Sequence, residues 1–382
     1  MTQPLPADWV LPHYGRSTLS DLMPAVGAHL AVPGCLDDPL GLPSAQRYLV
    51  LLVDGLGLHL LRQCLGHTEY FAEVFGDALE LTSGVPSTTA TSLTCLGTGL
   101  EPGRHGMAGY SFLEPGGEHA MNALTWQGGP ADAEAFQPRP TVFERAAAAG
   151  VEVTSVAPAR FATSGLTRAA LRGPQFWALD ERDQAARIEA CVQATRRGER
   201  SLTYLYERSL DHTGHGRGVG SQQWLDTLVA VDRLAGRLRE ALDDEVCLLV
   251  TGDHGMVDVP AERHVIVEDH PVLLRDVELL AGEGRLRQLW TGRPEQVAER
   301  WQRELAERAV VRSRDEAIAE GWFGPVEDRV REHFGDVLVA MRDDWAVMTR
   351  ALPRELGLVG QHGSLSAAEM RVPLLVDHPA GW

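Results

Sequence analysis

Two short runs constrain the fold of this chain more than anything else in it: RYLVLLVDG (Arg47 to Gly55) and EVCLLVTGDHG (Glu245 to Gly255). Each is an unbroken Val/Leu stretch rather than an alternation of apolar and polar residues. Such a strand is buried on both faces, the condition of a parallel sheet covered by helices. Each run also stops on an aspartate beside glycine, Asp54-Gly55 in the first and Gly252-Asp253-His254-Gly255 in the second. Open α/β sheets gather their ligands at the carboxyl ends of the strands. An N-cap aspartate is the alternative role for either residue taken alone.

Between and around these runs the chain alternates strand with helix. Leu58 to Leu65 reads as a helix, Thr141 to Ala149 as another ending at Gly150, and Val151 to Val156 as a strand. A helix over about Glu181 to Arg197 leads into a strand at Ser201 to Tyr206, and Gln222 to Leu242 is a long helix. This order predicts an α/β fold with a central, mostly parallel sheet and right-handed crossovers. At 382 residues with 44% apolar content, the chain is long enough for one large α/β core plus an insertion. We place the core at residues 1–256 and 346–382. Residues 257–345 are denser in charge, with short strands (Ala309 to Val311, Val337 to Met341), helices near Pro294 to Arg308 and Ser313 to Glu320, and three tryptophans (Trp290, Trp301, Trp322). That stretch reads as an inserted cap that shapes access for a substrate, with a remote structural module as the alternative.

The stretch LTSGVPSTTATSLTCLGTGLEPGRHGMAGY, Leu81 to Tyr110, carries the chemistry. Ser87, Thr88, Thr89, Thr91 and Ser92 crowd the start of a short helix expected over Ala90 to Leu96. A helix N-terminus presents unpaired N–H groups and the positive end of the helix dipole, so an anion such as phosphate docks there. Asp211 and His215 are four apart within ERSLDHTGHGRGVGS, which its glycines predict to be a loop. The string fails as a dinucleotide fingerprint because Val219 stands where the third glycine is needed. His362 lies in a second Gly-rich loop, GLVGQHGS. Collected, Asp54, Thr89, Asp211, His215, Asp253, His254 and His362 supply three carboxylates and three imidazoles beside a hydroxyl. That is the number and type of ligands for two divalent ions of the zinc class, with manganese as a second option. Two ions roughly 4 Å apart clamp the attacking and leaving oxygens of a phosphoryl displacement. They also activate a threonine hydroxyl too weakly acidic to attack unaided. Thr89 is therefore the expected nucleophile, and a phosphothreonine the expected covalent intermediate.

In order along the chain, VDG, VPSTTATSL, DxxGH, GDHGM and QHGS resemble the alkaline phosphatase superfamily, and within it the type I phosphodiesterase/nucleotide pyrophosphatase family. The resemblance spans Asp54 to Gly363. It implies an alkaline-phosphatase-like fold, one zinc held by Asp54, Thr89, Asp253 and His254, and a second held by Asp211, His215 and His362. It also points to Ala90 and Ser92 as groups contacting the substrate phosphate. Ser92 replaces the asparagine usual three residues after the nucleophile, and ATSL replaces the usual FPNH, so a different nucleotide-binding wall is implied.

Charge narrows the substrate. Two dications against three carboxylates leave a site near +1, which suits a singly charged diester, whereas a dianionic monoester wants a further cation. Arg104, Arg160 and Arg168 are the candidates for that cation. The expected activity is hydrolysis of phosphate diesters or pyrophosphates, with a phosphomutase or phosphomonoesterase as the alternative. A sulfatase is excluded, since no Cys or Ser sits in a CxPxR-like context. A non-catalytic binding protein has no use for a complete ligand set beside a nucleophile. A net charge of −18, with 53 acidic and 35 basic residues, repels nucleic acid and anionic membrane. The expected partner is therefore a small phosphate ester, with the oligomeric state left open. Five scattered cysteines without CxxC spacing, an N-terminus without signal-peptide character and no apolar run of ~18 residues lead us to expect a soluble, cytoplasmic protein.

Overall fold

The structure is a computed structural model and describes residues 4–114, 116–117 and 119–378; the outermost residues of the proposed core, 1–3 and 379–382, lie outside these. A seven-stranded sheet runs through the centre in the order Leu79–Thr82, Arg371–Asp377, Val246–Gly252, Arg47–Val53, Ser201–Glu207, Glu152–Ala157, Gln175–Ala178. All its neighbours pair in parallel except the chain's last strand, Arg371–Asp377, which runs antiparallel to both strands flanking it. The sheet is thus mostly parallel, as the strand–helix alternation predicts, with that strand as the exception. It follows the long stretch 257–370 of mixed strands and helices rather than a single helical crossover.

The Arg47–Val53 strand shows why its sequence has no polar alternation. Tyr48, Val50 and Leu52 belong to a core on one face of the sheet, and Leu49, Leu51 and Val53 to a second core on the other. Successive side chains point to opposite faces, so a strand covered on both sides must be apolar at every position. At its end Asp54 N–H donates to Glu207 O (2.8 Å) and Asp211 N–H donates to Asp54 O (3.0 Å), which fastens two strand ends and the following helix together. Gly55 makes that approach possible. Its φ is +79°, and a Cβ there would lie 3.0 Å from Asp211 Cα.

Residues after Val257 build a four-stranded antiparallel sheet in the order Leu279–Glu283, Leu286–Trp290, Val337–Met341, Ala309–Ser313. One face carries Leu289, Val311, Val337 and Val339, packed on Val297, Trp301 and Leu305 of the helix Pro294–Leu305. The other face, with Leu286, Leu338 and Ala340, merges with the main core, as does Trp322. The helix Arg314–Ala319 begins as its sequence predicts, with Ser313 and Glu316 bonded reciprocally in a capping box.

Candidate active site

The helix Thr89–Thr98 is buried along its whole length and starts at the expected hydroxyl cluster. Thr89 is its first residue. Thr89 Oγ1 lies 3.2 Å from His254 Nε2 and 3.4 Å from Asp54 Oδ1. His254 Nε2 is 3.4 Å from Asp54 Oδ1 and 3.5 Å from Asp253 Oδ2. Beside them, His215 Nε2 is 3.3 Å from Asp211 Oδ1, and His362 Nε2 is 3.4 Å from His215 Nε2 and 3.7 Å from Asp211 Oδ1. The rings of His254 and His362 stack at 3.6 Å between centroids, joining the two halves. All seven sequence-predicted residues of the constellation are thereby brought together.

Asp211 and His215 reach this place by a route other than the expected loop. They sit one turn apart on a helix, Ser209–Arg217. The glycines that suggested a turn have packing roles instead. A Cβ on Gly214 would lie 2.4 Å from Met256 Sδ, and Gly218, at φ +84°, ends the helix. Close packing outweighs the weak helix propensity of glycine.

The donor set fits divalent cations. Each imidazole gives its Nδ1–H to a main-chain carbonyl: His215 to Gly360 O (2.7 Å), His254 to Gly255 O (2.9 Å), His362 to Ser87 O (2.9 Å). A carbonyl only accepts, so in the neutral ring each Nε2 lone pair faces the site, the arrangement typical of metal-ligating histidines. Ligand atoms of Asp211, His215 and His362 lie within 4.8 Å of one another, as do those of Asp54, Asp211 and His254, with Asp211 common to both groups. Asp211 Oδ1 and Asp253 Oδ2 are buried without a hydrogen-bond partner among the described residues. Buried carboxylate oxygens without donors are costly unless a cation satisfies them. Burial, with the charges of Asp253 and Asp211 added, pushes the Asp54 carboxyl well above the usual range. Burial also raises Asp253, against the pull of His254. Burial holds His362 well below the ordinary histidine value, keeping it neutral.

The site opens into a cavity of about 390 Å³. One wall is apolar, made by Leu93, Leu124, Phe161, Leu166, Leu171 and Phe176; other linings include Tyr110, Tyr204, Tyr206, Arg208, Glu283 and Arg354. Of the residues expected to meet phosphate, Ser92 is engaged elsewhere: its Oγ lies 2.8 Å from Ser83 Oγ, both residues are fully buried, and Ser92 does not line the cavity. Ala90 contributes a buried methyl and a main-chain N–H in the helix's first turn. Arg104, Arg160 and Arg168 pair with Glu101, Glu181 and Glu134 and line no part of the cavity. The cavity's cations are Arg208 and Arg354, and Arg208 is held by Glu181 at 3.0 Å through Nε. The two guanidinium groups of Arg208 and Arg160 pull Glu181 down to about 2.

Tyr206 escaped the sequence reading. Its hydroxyl donates a short hydrogen bond to Asp54 Oδ2. Tyr204 and Tyr206, two apart at the end of the Ser201–Glu207 strand, put their rings on one face, and that period-two spacing was the available signal.

A mostly parallel sheet with ligand-bearing loops at its strand ends defines an alkaline-phosphatase-like α/β protein. The family model of type I phosphodiesterase / nucleotide pyrophosphatase matches residues 48–365, and the chain belongs to that family. Among curated relatives, the ectonucleotide pyrophosphatase/phosphodiesterase family member 7 of Rattus norvegicus is 33% identical over 107 residues, 26% of this chain and 24% of the relative. Its Homo sapiens counterpart is 31% identical over 130 residues, 29% of this chain and 28% of the relative. The matched region therefore spans only about a quarter of the relatives' length. Murine ectonucleotide pyrophosphatase / phosphodiesterase 5, solved in complex with AMP, superposes with a TM-score of 0.70 at 18% identity, covering 87% of this chain and 88% of that one. Phosphonoacetate hydrolase from Sinorhizobium meliloti, in complex with phosphonoformate, gives 0.68 at 18% identity, covering 88% and 91%. At these identities the two structures establish likeness of fold.

Proposed function

We propose that this protein is a two-metal hydrolase of phosphate diesters or pyrophosphates that works through a phosphothreonine at Thr89. The observation that carries the reading is the convergence of Asp54, Asp253, His254, Asp211, His215 and His362 on Thr89 Oγ1 from four distant parts of the chain. Asp54, Thr89, Asp253 and His254 would hold one ion, and Asp211, His215 and His362 the other; zinc suits this mixture of carboxylates and imidazoles. When bound, the ions supply charge neutralisation at the attacking and leaving oxygens.

The chain's own groups do the rest. Thr89 Oγ1 is held at the mouth of a buried helix, within 3.4 Å of Asp54 Oδ1 and His254 Nε2, so an ion held by those atoms would also favour loss of the Thr89 hydroxyl proton. The Oγ1–phosphorus bond forms as the bond from phosphorus to the leaving alcohol breaks, and the alcohol departs with a proton. Water then cleaves the phosphothreonine. The Ala90 N–H, in the helix's first turn, is placed to donate to a phosphoryl oxygen. Positioning and charge neutralisation carry the catalysis.

A diester is favoured over a monoester. Arg208 is already neutralised by Glu181, and Arg354, the other arginine of the cavity, shares the lining with Glu283 and Glu355, so the cavity adds little net positive charge at the metal cluster. The apolar wall suits an organic arm of aromatic or aliphatic character. The test is hydrolysis of bis(4-nitrophenyl) phosphate against 4-nitrophenyl phosphate, with zinc removed by chelator and then restored. The diester should be preferred, and activity should follow the metal. Thr89→Ala should lower kcat/KM by on the order of 10³ or more. A strong monoester preference, or a Thr89→Ala variant of near-normal turnover, refutes the reading. All five cysteines are free, which supports a reducing compartment such as the cytoplasm. Among the described residues no helix is long and apolar enough to cross a membrane.

A further inference from the structure

We propose that Glu283 forms a subsite for a hydrogen-bond-donating group, a hydroxyl or an ammonium, on one arm of the substrate; this rests on the phosphodiesterase reading. Glu283 ends the first strand of the inserted hairpin, Leu279–Glu283 with Leu286–Trp290, whose tip, Glu283 and Gly284, lines the cavity beside the metal ligands. A Cβ on Gly363 would lie 3.1 Å from Glu283 Cβ, so the stem of this side chain packs against the residue following His362, while a Cβ on Gly109 would lie 3.2 Å from Oε1 and 3.4 Å from Oε2. Glu283 is 7% exposed. One oxygen, Oε1, accepts the Tyr110 N–H in a short hydrogen bond. The other, Oε2, is buried with no partner among the described residues.

The nearby cation cannot serve Oε2. Arg287 is spent on Glu355, Val347 O and Gly282 O. Burial pushes the Glu283 carboxyl up to about 7, against the bond from the Tyr110 N–H and the charge of Arg287. Holding the Tyr110 N–H needs only one oxygen. The second is a buried acceptor on a side chain that lines the ligand cavity, which is costly until a donor reaches it. A hydroxyl or ammonium supplies that donor, while a carboxylate or second phosphate on the same arm is repelled. The apolar wall then takes one arm of a diester, and the Glu283 wall the other.

The test uses the zinc-loaded full chain and three diester mimics that share one singly charged phosphonate group, the propyl, 3-hydroxypropyl and 3-aminopropyl monoesters of methylphosphonate, with Kd read by calorimetry. The hydroxypropyl or aminopropyl compound should bind about tenfold tighter than the propyl one. In Glu283→Leu that ratio should fall to about one. Glu283→Gln, which keeps an acceptor oxygen but not the charge, should retain the hydroxypropyl advantage and lose any aminopropyl one. A wild-type ratio near one, or a ratio unchanged in Glu283→Leu, overturns the subsite. Turnover of bis(4-nitrophenyl) phosphate separates the two ideas. A binding ratio without turnover removes the phosphodiesterase reading and keeps the subsite, and turnover without a ratio does the reverse.

Discussion

Replacing Tyr206 by phenylalanine removes one oxygen atom and probes the cluster where it is most finely balanced. Tyr206 donates to Asp54 Oδ2, leaving Oδ1 turned toward Thr89 and His254. Burial beside Asp253 and Asp211 raises the Asp54 carboxyl, so the ionised form that a cation requires leans on this hydroxyl. A hydrogen bond to a charged group contributes about 1.5 to 3 kcal/mol. If that support is lost mainly from the ionised, metal-ready state, affinity at the Asp54 position weakens about 10- to 150-fold, overlapping the roughly 10- to 100-fold found for partners of metal ligands. Apo protein titrated with zinc against a chromophoric chelator measures it directly. Tyr204→Phe is the control, because the Tyr204 hydroxyl is buried without a partner among the described residues. Tyr204→Phe should leave zinc affinity within about threefold of wild type. Equal zinc affinity in wild type and Tyr206→Phe would show that Asp54 is oriented by something other than this tyrosine.

Three further outcomes follow from the same geometry. Glu283 has its carboxyl raised from 4.5 to about 7, so the native state keeps a proton that the unfolded chain sheds. The associated stability is complete below pH 4.5 and is lost as pH climbs through 7, and urea unfolding should show Glu283→Gln gaining about 3 kcal/mol on wild type between pH 4.5 and pH 8; a flat difference refutes it. Arg285 and Glu369 form a fully buried pair, with Nη2 2.7 Å from Oε2, and Glu369 also accepts the Ser364 N–H two residues beyond His362. Arg285→Met should cost about 3 to 5 kcal/mol, and the double change Arg285→Met with Glu369→Leu should recover much of it in the same denaturation assay. A Cβ on Gly255 would stand 1.9 Å from Ala368 O, a main-chain atom with nowhere to go. Gly255→Ala should therefore lose more than about 2 kcal/mol and bind zinc more weakly, with unchanged melting as the contrary result.

The ligand-bearing aspartates were legible because the physics of a parallel sheet is local. Asp54 and Asp253 each end a run that must be apolar throughout, and nothing else in such a run tolerates a carboxylate. His362 could be placed only by resemblance, since a histidine in a glycine loop carries no periodic signal. Asp211 and His215 were read with the right spacing but in the wrong local structure. Propensity counts every glycine against a helix, whereas the contact of Gly214 with Met256 is set by a residue far along the chain. The arginines show the same limit. Arg160 and Arg208 share Glu181, yet only Arg208 reaches the cavity, and no pattern in the sequence tells one from the other. Ser92 occupies the register of a phosphate-binding residue, but its short side chain finds Ser83 first. The oligomeric state was not legible either, since it depends on surfaces that leave no comparable pattern.

The three Nδ1–carbonyl tethers have an evolutionary corollary. His215 is leashed to the segment at Gly360, and His362 to the turn at Ser87 that precedes the nucleophile. Any drift in one of these loops drags a donor nitrogen belonging to another, so the catalytic floor can change only in concert. The side chains of Leu124, Phe161, Leu166 and Phe176 carry no such leash. Descendants of this scaffold are thus free to trade one organic arm for another by repainting that wall, while the inorganic machinery beneath is inherited whole.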